Sequence, residues 1–183
     1  MIHVFIGYDP REAIAYHVCA NSMIRHSSEV LAITPLALAN LKTYSETHTD
    51  GSNQFIYTRF LLPHLMGYAG WALFVDGDML VRDDLAKLWA LRDETKAVMC
   101  VHHDYKTKAG TKYLGAVNAD YPRKNWSSVV LWNCGHPTSS DPIRRPACCT
   151  GRSARPASTN MPTRRWQPNG TARSCSPISA CSG

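Results

Sequence analysis

The chain has 183 residues, a length for one domain or for one domain and a tail. An apolar fraction of 44% with 19% charged residues excludes a wholly disordered or collagen-like chain, and no apolar run reaches the roughly 18 residues of a transmembrane helix. A formal net charge of +6 and seven cysteines suggest a nucleic-acid binder or a secreted disulfide protein, until their positions along the chain are considered.

From the N-terminus, Ile2-His3-Val4-Phe5-Ile6-Gly7 is a β-rich run that predicts a buried strand. It lacks the basic start and longer apolar stretch of a signal peptide. Asp9-Pro10 predicts the start of a helix over residues 11–26, with Asp9 as N-cap, Pro10 in the first turn and Glu12 completing a capping box. Ala13, Tyr16, Ala20, Met23 and Ile24 supply its expected apolar face. A second strand is expected at 30–36, a polar loop at 37–52, and a second helix over 54–65. Trp71-Ala72-Leu73-Phe74-Val75 predicts a fully buried strand, followed by a further short apolar run at 79–81. Asp83-Asp84 can cap a helix reaching Leu91, 97–101 predicts a strand, and 126–133 the last one. Strands alternating with helices define an α/β domain with a mainly parallel sheet.

The feature that carries chemistry is Asp76-Gly77-Asp78, placed directly after the buried strand. On an extended segment two carboxylates spaced in this way point to the same side, and the glycine admits close approach of backbone or ligand. Oxygen ligands of this kind suit Mg²⁺ or Mn²⁺, which bridge to phosphates. Open α/β sheets bind ligands at the carboxyl ends of their strands, where this motif falls. His102-His103-Asp104 is weaker as a metal cluster, because adjacent strand residues face opposite ways. Tyr121-Pro122-Arg123-Lys124-Asn125 adds local positive charge that suits an acceptor or phosphate but is also what a solvated loop carries.

Taken together, Tyr57-x-Arg59, Pro63, the strand, Asp76-x-Asp78, Asp84-Leu85, Leu88-Trp89 and the run Ser127-Ser128-Val129-Val130-Leu131-Trp132-Asn133 resemble the family-8 glycosyltransferases over residues 2–137. The resemblance implies a GT-A-type, Rossmann-like nucleotide-sugar-binding domain. It also implies a nucleotide-diphospho-sugar donor, most often a UDP-sugar, with transfer that retains anomeric configuration and Mn²⁺ (or Mg²⁺) as cofactor. Asp76 and Asp78 would hold the metal and Arg59 would contact donor phosphates or sugar. Gly7, Tyr8 and Asp9 would form the nucleotide-binding start, with Tyr8 on the base and Asp9 on uracil or ribose. Gly77 would allow close approach, and Ser127 and Ser128 would line the sugar or acceptor site. The acceptor (saccharide, lipid-linked or protein) is left open, as is a non-catalytic pseudo-transferase that binds nucleotide sugar without turnover. A phosphatase using Asp-x-Asp-x-Thr is disfavoured by Leu80.

Residues 138–183 differ in kind. They hold seven arginines, no lysine or histidine, a single acid (Asp141) and four cysteines, whereas residues 1–137 carry 13 basic and 13 acidic residues. The net charge thus belongs to this tail, which has no hydrophobic periodicity and is expected to be disordered. Its Arg-, Ser-, Pro- and Cys-rich composition matches an out-of-frame extension better than a native flexible tail, which stays open, or a nucleic-acid arm, and no nucleic-acid partner is expected. The family's downstream histidine, lysine and Asp-Gln pair are missing from it, so a truncated, impaired transferase is expected. Cys19, Cys100 and Cys134 show no disulfide spacing and suit a cytoplasmic protein, or one peripheral to the inner face of a membrane.

Overall fold

The computed structural model describes residues 1–49, 51–103, 126–140, 163–166 and 172–174. Strand β1 (Ile2–Tyr8) is followed by a 3₁₀ turn (Pro10–Glu12) and helix α1 (Ala13–His26). Then come β2 (Leu31–Ala37), a 3₁₀ turn (Leu38–Asn40), another (Thr58–Leu61) running into the short α2 (Leu62–Leu65), and β3 (Trp71–Val75). Helix α3 (Leu85–Trp89), β4 (Val98–Val101), a 3₁₀ turn (Trp126–Ser128), β5 (Val129–Asn133) and α4 (Pro137–Ser140) complete the order to residue 140. Two short strands, β6 (Thr163–Trp166) and β7 (Ala172–Ser174), follow.

The sheet order is β2-β1-β3-β5-β4-β6-β7. β1 pairs in parallel with β2 and β3, and β5 lies antiparallel between β3 and β4. Four of the first five strands therefore share one direction, the mainly parallel α/β sheet expected from the sequence. β6 adds in parallel to β4 and β7 pairs antiparallel with β6. These seven residues are placed as strands within the segment for which disorder is expected. The rest of that expectation, apart from 138–140, lies outside the described residues.

β3 is buried at all five positions, as a central strand covered on both faces must be. One face packs Leu73 and Val75 with Ile2, Val4, Ile6, Met23 and Leu131. The other packs Ala72 and Phe74 with Phe5, Phe55, Leu62 and Val130.

Several elements differ from expectation. The face of α1 that meets the sheet carries buried Cys19, Ser22 and Met23, while Ile24 is 64% exposed and Ile14 82%. Ile24 therefore lies outside the buried stripe to which its spacing assigned it. The helix expected over 54–65 is shortened to the 3₁₀ turn and α2. The strand expected from residue 126 begins at Val129, with Trp126–Ser128 in a 3₁₀ turn. Asp9 does cap the first turn, accepting from the Arg11 amide at 3.0 Å, and Asp84 caps α3 through the Ala86 amide.

Candidate functional site

In register, Ile6 of β1 lies opposite Val75 of β3, and Val75 opposite Val129 of β5. The carboxyl ends of β1 and β3 thus emerge at one edge of the sheet. Because β5 runs the other way, it brings its amino end to that same edge. Topology alone thereby collects Gly7-Tyr8-Asp9, Asp76-Gly77-Asp78 and Ser127-Ser128, residues from three distant parts of the chain.

Arg59 joins them from the 3₁₀ turn. It is only 5% exposed and stacks its guanidinium 4.9 Å from the Phe74 ring centroid and 5.5 Å from that of Phe55. Its Nη1 lies 2.9 Å from Asp76 Oδ1 and donates to the Ser127 carbonyl at 2.8 Å and to Ser127 Oγ at 3.2 Å. Nε donates to the Phe55 carbonyl at 3.2 Å. The Asp76 amide in turn donates to the Ser128 carbonyl at 2.9 Å. Ser127 and Ser128 therefore hold Arg59 and Asp76 in place, a function the strand pattern at 126–133 does not reveal.

Burial pushes the Asp76 carboxyl up to about 6, against the opposing pull of Arg59 and a Ser128 hydrogen bond; the neighbouring Asp78 charge adds to the rise. Asp78 is exposed. The Asp-Gly-Asp segment forms a turn closed by the Met79 amide on the Asp76 carbonyl at 3.3 Å, a correction to the extended geometry expected from alternation. Gly77 is required at its centre. A Cβ there would overlap the Gly7 carbonyl oxygen, and a Cβ on Gly7 would strike the Phe55 ring at 2.5 Å.

Glu12 stands near the same mouth, raised from its ordinary value by burial and then by the charges of Asp78 and Asp9. Asp9 is 1% exposed. It accepts from Arg11 Nε at 2.9 Å, Arg11 Nη2 at 2.6 Å and the Gln54 amide at 3.1 Å, besides the Arg11 amide. Tyr8, half-buried, meets Tyr16 edge-on at 5.3 Å. His102 packs edge-on against Trp126 at 4.3 Å while His103 is exposed. The basic segment Tyr121–Asn125 and Asp104 lie outside the described residues.

Among the described residues no three His, Cys, Asp or Glu side chains converge as a metal site. The donors that are present still suit a hard divalent cation. Asp76 sets a buried carboxylate oxygen against Arg59, and the Asp78 carboxylate opens to solvent two residues on. Two protein carboxylates completed by substrate oxygens and water are an ordinary arrangement for Mg²⁺ with phosphates.

The sequence model of glycosyl transferase family 8 matches residues 1–136, and the chain belongs to that family of glycosyltransferases. It is 49% identical over 138 residues to Protein CDI of Arabidopsis thaliana; the match takes in 73% of this chain and 53% of that protein, so the chain spans about half the length of this relative. Among solved structures it is similar to the WbbM bifunctional glycosyltransferase, with a TM-score of 0.51 and 16% identity over 74% of this chain and 32% of that one. It also matches apo GlyE of Streptococcus pneumoniae, with a TM-score of 0.49 and 20% identity over 78% and 36%. The likeness to WbbM shows the same GT-A type of fold.

Proposed function

We propose that the chain binds a nucleotide-diphospho-sugar, with UDP as the nucleotide, at the strand ends of β1, β3 and β5, as the donor-binding part of a glycosyltransferase that transfers sugar with retention of configuration, the transfer itself being impaired in this chain. The observation that carries the proposal is the buried Arg59–Asp76 pair at 2.9 Å beside an exposed Asp78, at the strand ends where an α/β sheet takes its ligands. Asp76 and Asp78 would hold Mn²⁺ or Mg²⁺. The ion, when bound, supplies Lewis-acid neutralisation of the charge that develops on the departing diphosphate. Arg59 contributes a fixed cation whose direction is set by Ser127 and by two aromatic rings, so no reorientation is needed when phosphate charge arrives. Gly7 and Gly77 let β1, the Phe55 ring and the Asp-Gly-Asp turn close on one another behind the site, and Tyr8 offers an aromatic ring at its rim.

Calorimetric titration with UDP tests this. Binding is expected with Mn²⁺ and is weakened at least about tenfold when the metal is chelated or when Asp78→Asn is introduced. Equal UDP binding with and without divalent metal overturns the metal-dependent assignment. A non-catalytic binding domain is the second reading, favoured by the absence of histidine and lysine from residues 138–183. Turnover of donor to free UDP and transferred sugar separates the two.

A further inference from the structure

Helix α1 touches the Asp-Gly-Asp loop along one line of its surface. Tyr16, Cys19 and Ser22 are spaced three apart and so share a face. Each meets a different part of residues 76–81. The Tyr16 Cα lies 3.8 Å from the position a Gly77 Cβ would take, so the helix backbone sits directly against the middle of the turn. The Cys19 thiol donates to the Asp76 carbonyl at 3.9 Å. Ser22, 5% exposed, accepts the Val81 amide on Oγ at 3.0 Å and donates to the Cys19 carbonyl at 2.7 Å.

The Ser22 hydroxyl is thus fixed at both ends. Its proton is committed to the helix, which aims its lone pair at Val81. Among the described residues the loop's own internal backbone bond is the 3.3 Å contact from the Met79 amide to the Asp76 carbonyl, so α1 supplies much of what holds it. We propose that Ser22, with Cys19 beside it, is a positioning residue that presets the Asp76–Val81 loop so that both carboxylates face the donor diphosphate together. This rests on the metal-dependent donor binding proposed above. A loop ordered before the ligand arrives costs the binding step less ordering entropy, and groups behind first ligands commonly set affinity in this way.

The test pairs hydrogen exchange at the Val81 amide with Mn²⁺ titration in the presence of UDP. In the wild-type protein the Val81 amide is expected to be protected without metal. Ser22→Ala is expected to speed its exchange and to weaken Mn²⁺ binding about five- to tenfold, the effect of one buried hydrogen bond, with a melting midpoint within a few degrees of wild type. Ser22→Thr, which keeps the oxygen, restores affinity, and Asn21→Ala on the exposed side of α1 changes neither measurement. Wild-type Mn²⁺ affinity in a folded Ser22→Ala protein overturns the proposal. So does an unprotected Val81 amide in the wild-type protein, a result that needs no variant. Failure of the wild-type protein to bind Mn²⁺ and UDP at all instead overturns the proposed metal-dependent donor binding, and this proposal with it.

Discussion

Asp9 shows how much a single carboxylate can organise. A carboxylate has about four lone-pair positions, and four protein donors fill them: three from Arg11 and one from the Gln54 amide. Arg11 Nη2 continues to the Ser52 carbonyl at 3.1 Å. The side chain therefore clasps residues 52–54 to the end of β1, and a nucleotide contact at Asp9 has to share or displace Arg11. The Arg11 side-chain hydrogen bonds, outweighing burial, hold the Asp9 carboxyl near 2, below its ordinary 3.8. Stability from a depressed carboxylate is present above pH 3.8 and is lost as pH falls through about 2. Arg11 is half-exposed, and solvent screening brings the contribution to about 1–2 kcal/mol. Thermal melts between pH 5 and pH 2 are expected to show this loss in the wild-type protein, whereas Asp9→Asn starts lower by a similar amount and lacks that component of the pH slope. The capping half of this arrangement is legible in Asp9-Pro10, because caps are local. The Gln54 half is not, since it joins residues 45 apart through packing alone.

At the scale of elements, the close approach of β1 to the turn after β3 depends on Gly77, whose Cα faces the Gly7 carbonyl. Gly77→Ala would press a methyl into the Gly7 carbonyl, and neither piece of backbone can move without disturbing the sheet. We expect a loss of about 2–4 kcal/mol by urea unfolding. Gly135→Ala, whose Cβ would meet the Gly70 amide nitrogen at 3.4 Å, is expected to cost less than half as much. β3 and the motif behind it were readable because an uninterrupted five-residue apolar run has few other uses. The seat for that motif on α1 was not. Cys19 and Ser22 are small residues that pattern analysis reads as neutral, and Ile24 outranks them on hydrophobicity while pointing to solvent. The start of β5 was misplaced for a related reason: Trp126 and the two serines fit a strand by composition, yet Ser127 and Ser128 turn aside to meet Arg59 and Asp76.

For the whole molecule, residues 1–137 balance 13 basic against 13 acidic groups, and the basicity of the chain resides beyond them. Any affinity for DNA or heparin is therefore expected to be salt-sensitive and to vanish when residues 138–183 are removed, with UDP binding retained. Donor binding and catalysis are likewise expected to part company. Residues 138–183 offer no histidine or lysine to join Asp76, Asp78 and Arg59, so a radiolabelled-sugar assay should register transfer at or near background from a preparation that still binds UDP with Mn²⁺. Robust transfer by the 183-residue chain would overturn this expectation.

The placement of β5 also governs the order in which the protein can assemble during synthesis. β3 leaves the ribosome more than fifty residues before the strand that pairs with its second edge. Throughout that interval Trp71–Val75, apolar at every position, presents an unpaired edge of the kind that recruits other chains. Only when Asn133 has emerged can β5 slide between β3 and β4 and close the gap. Yield in a cell should therefore depend on translation speed and chaperone supply across residues 76–133 more than on the equilibrium stability of the finished sheet.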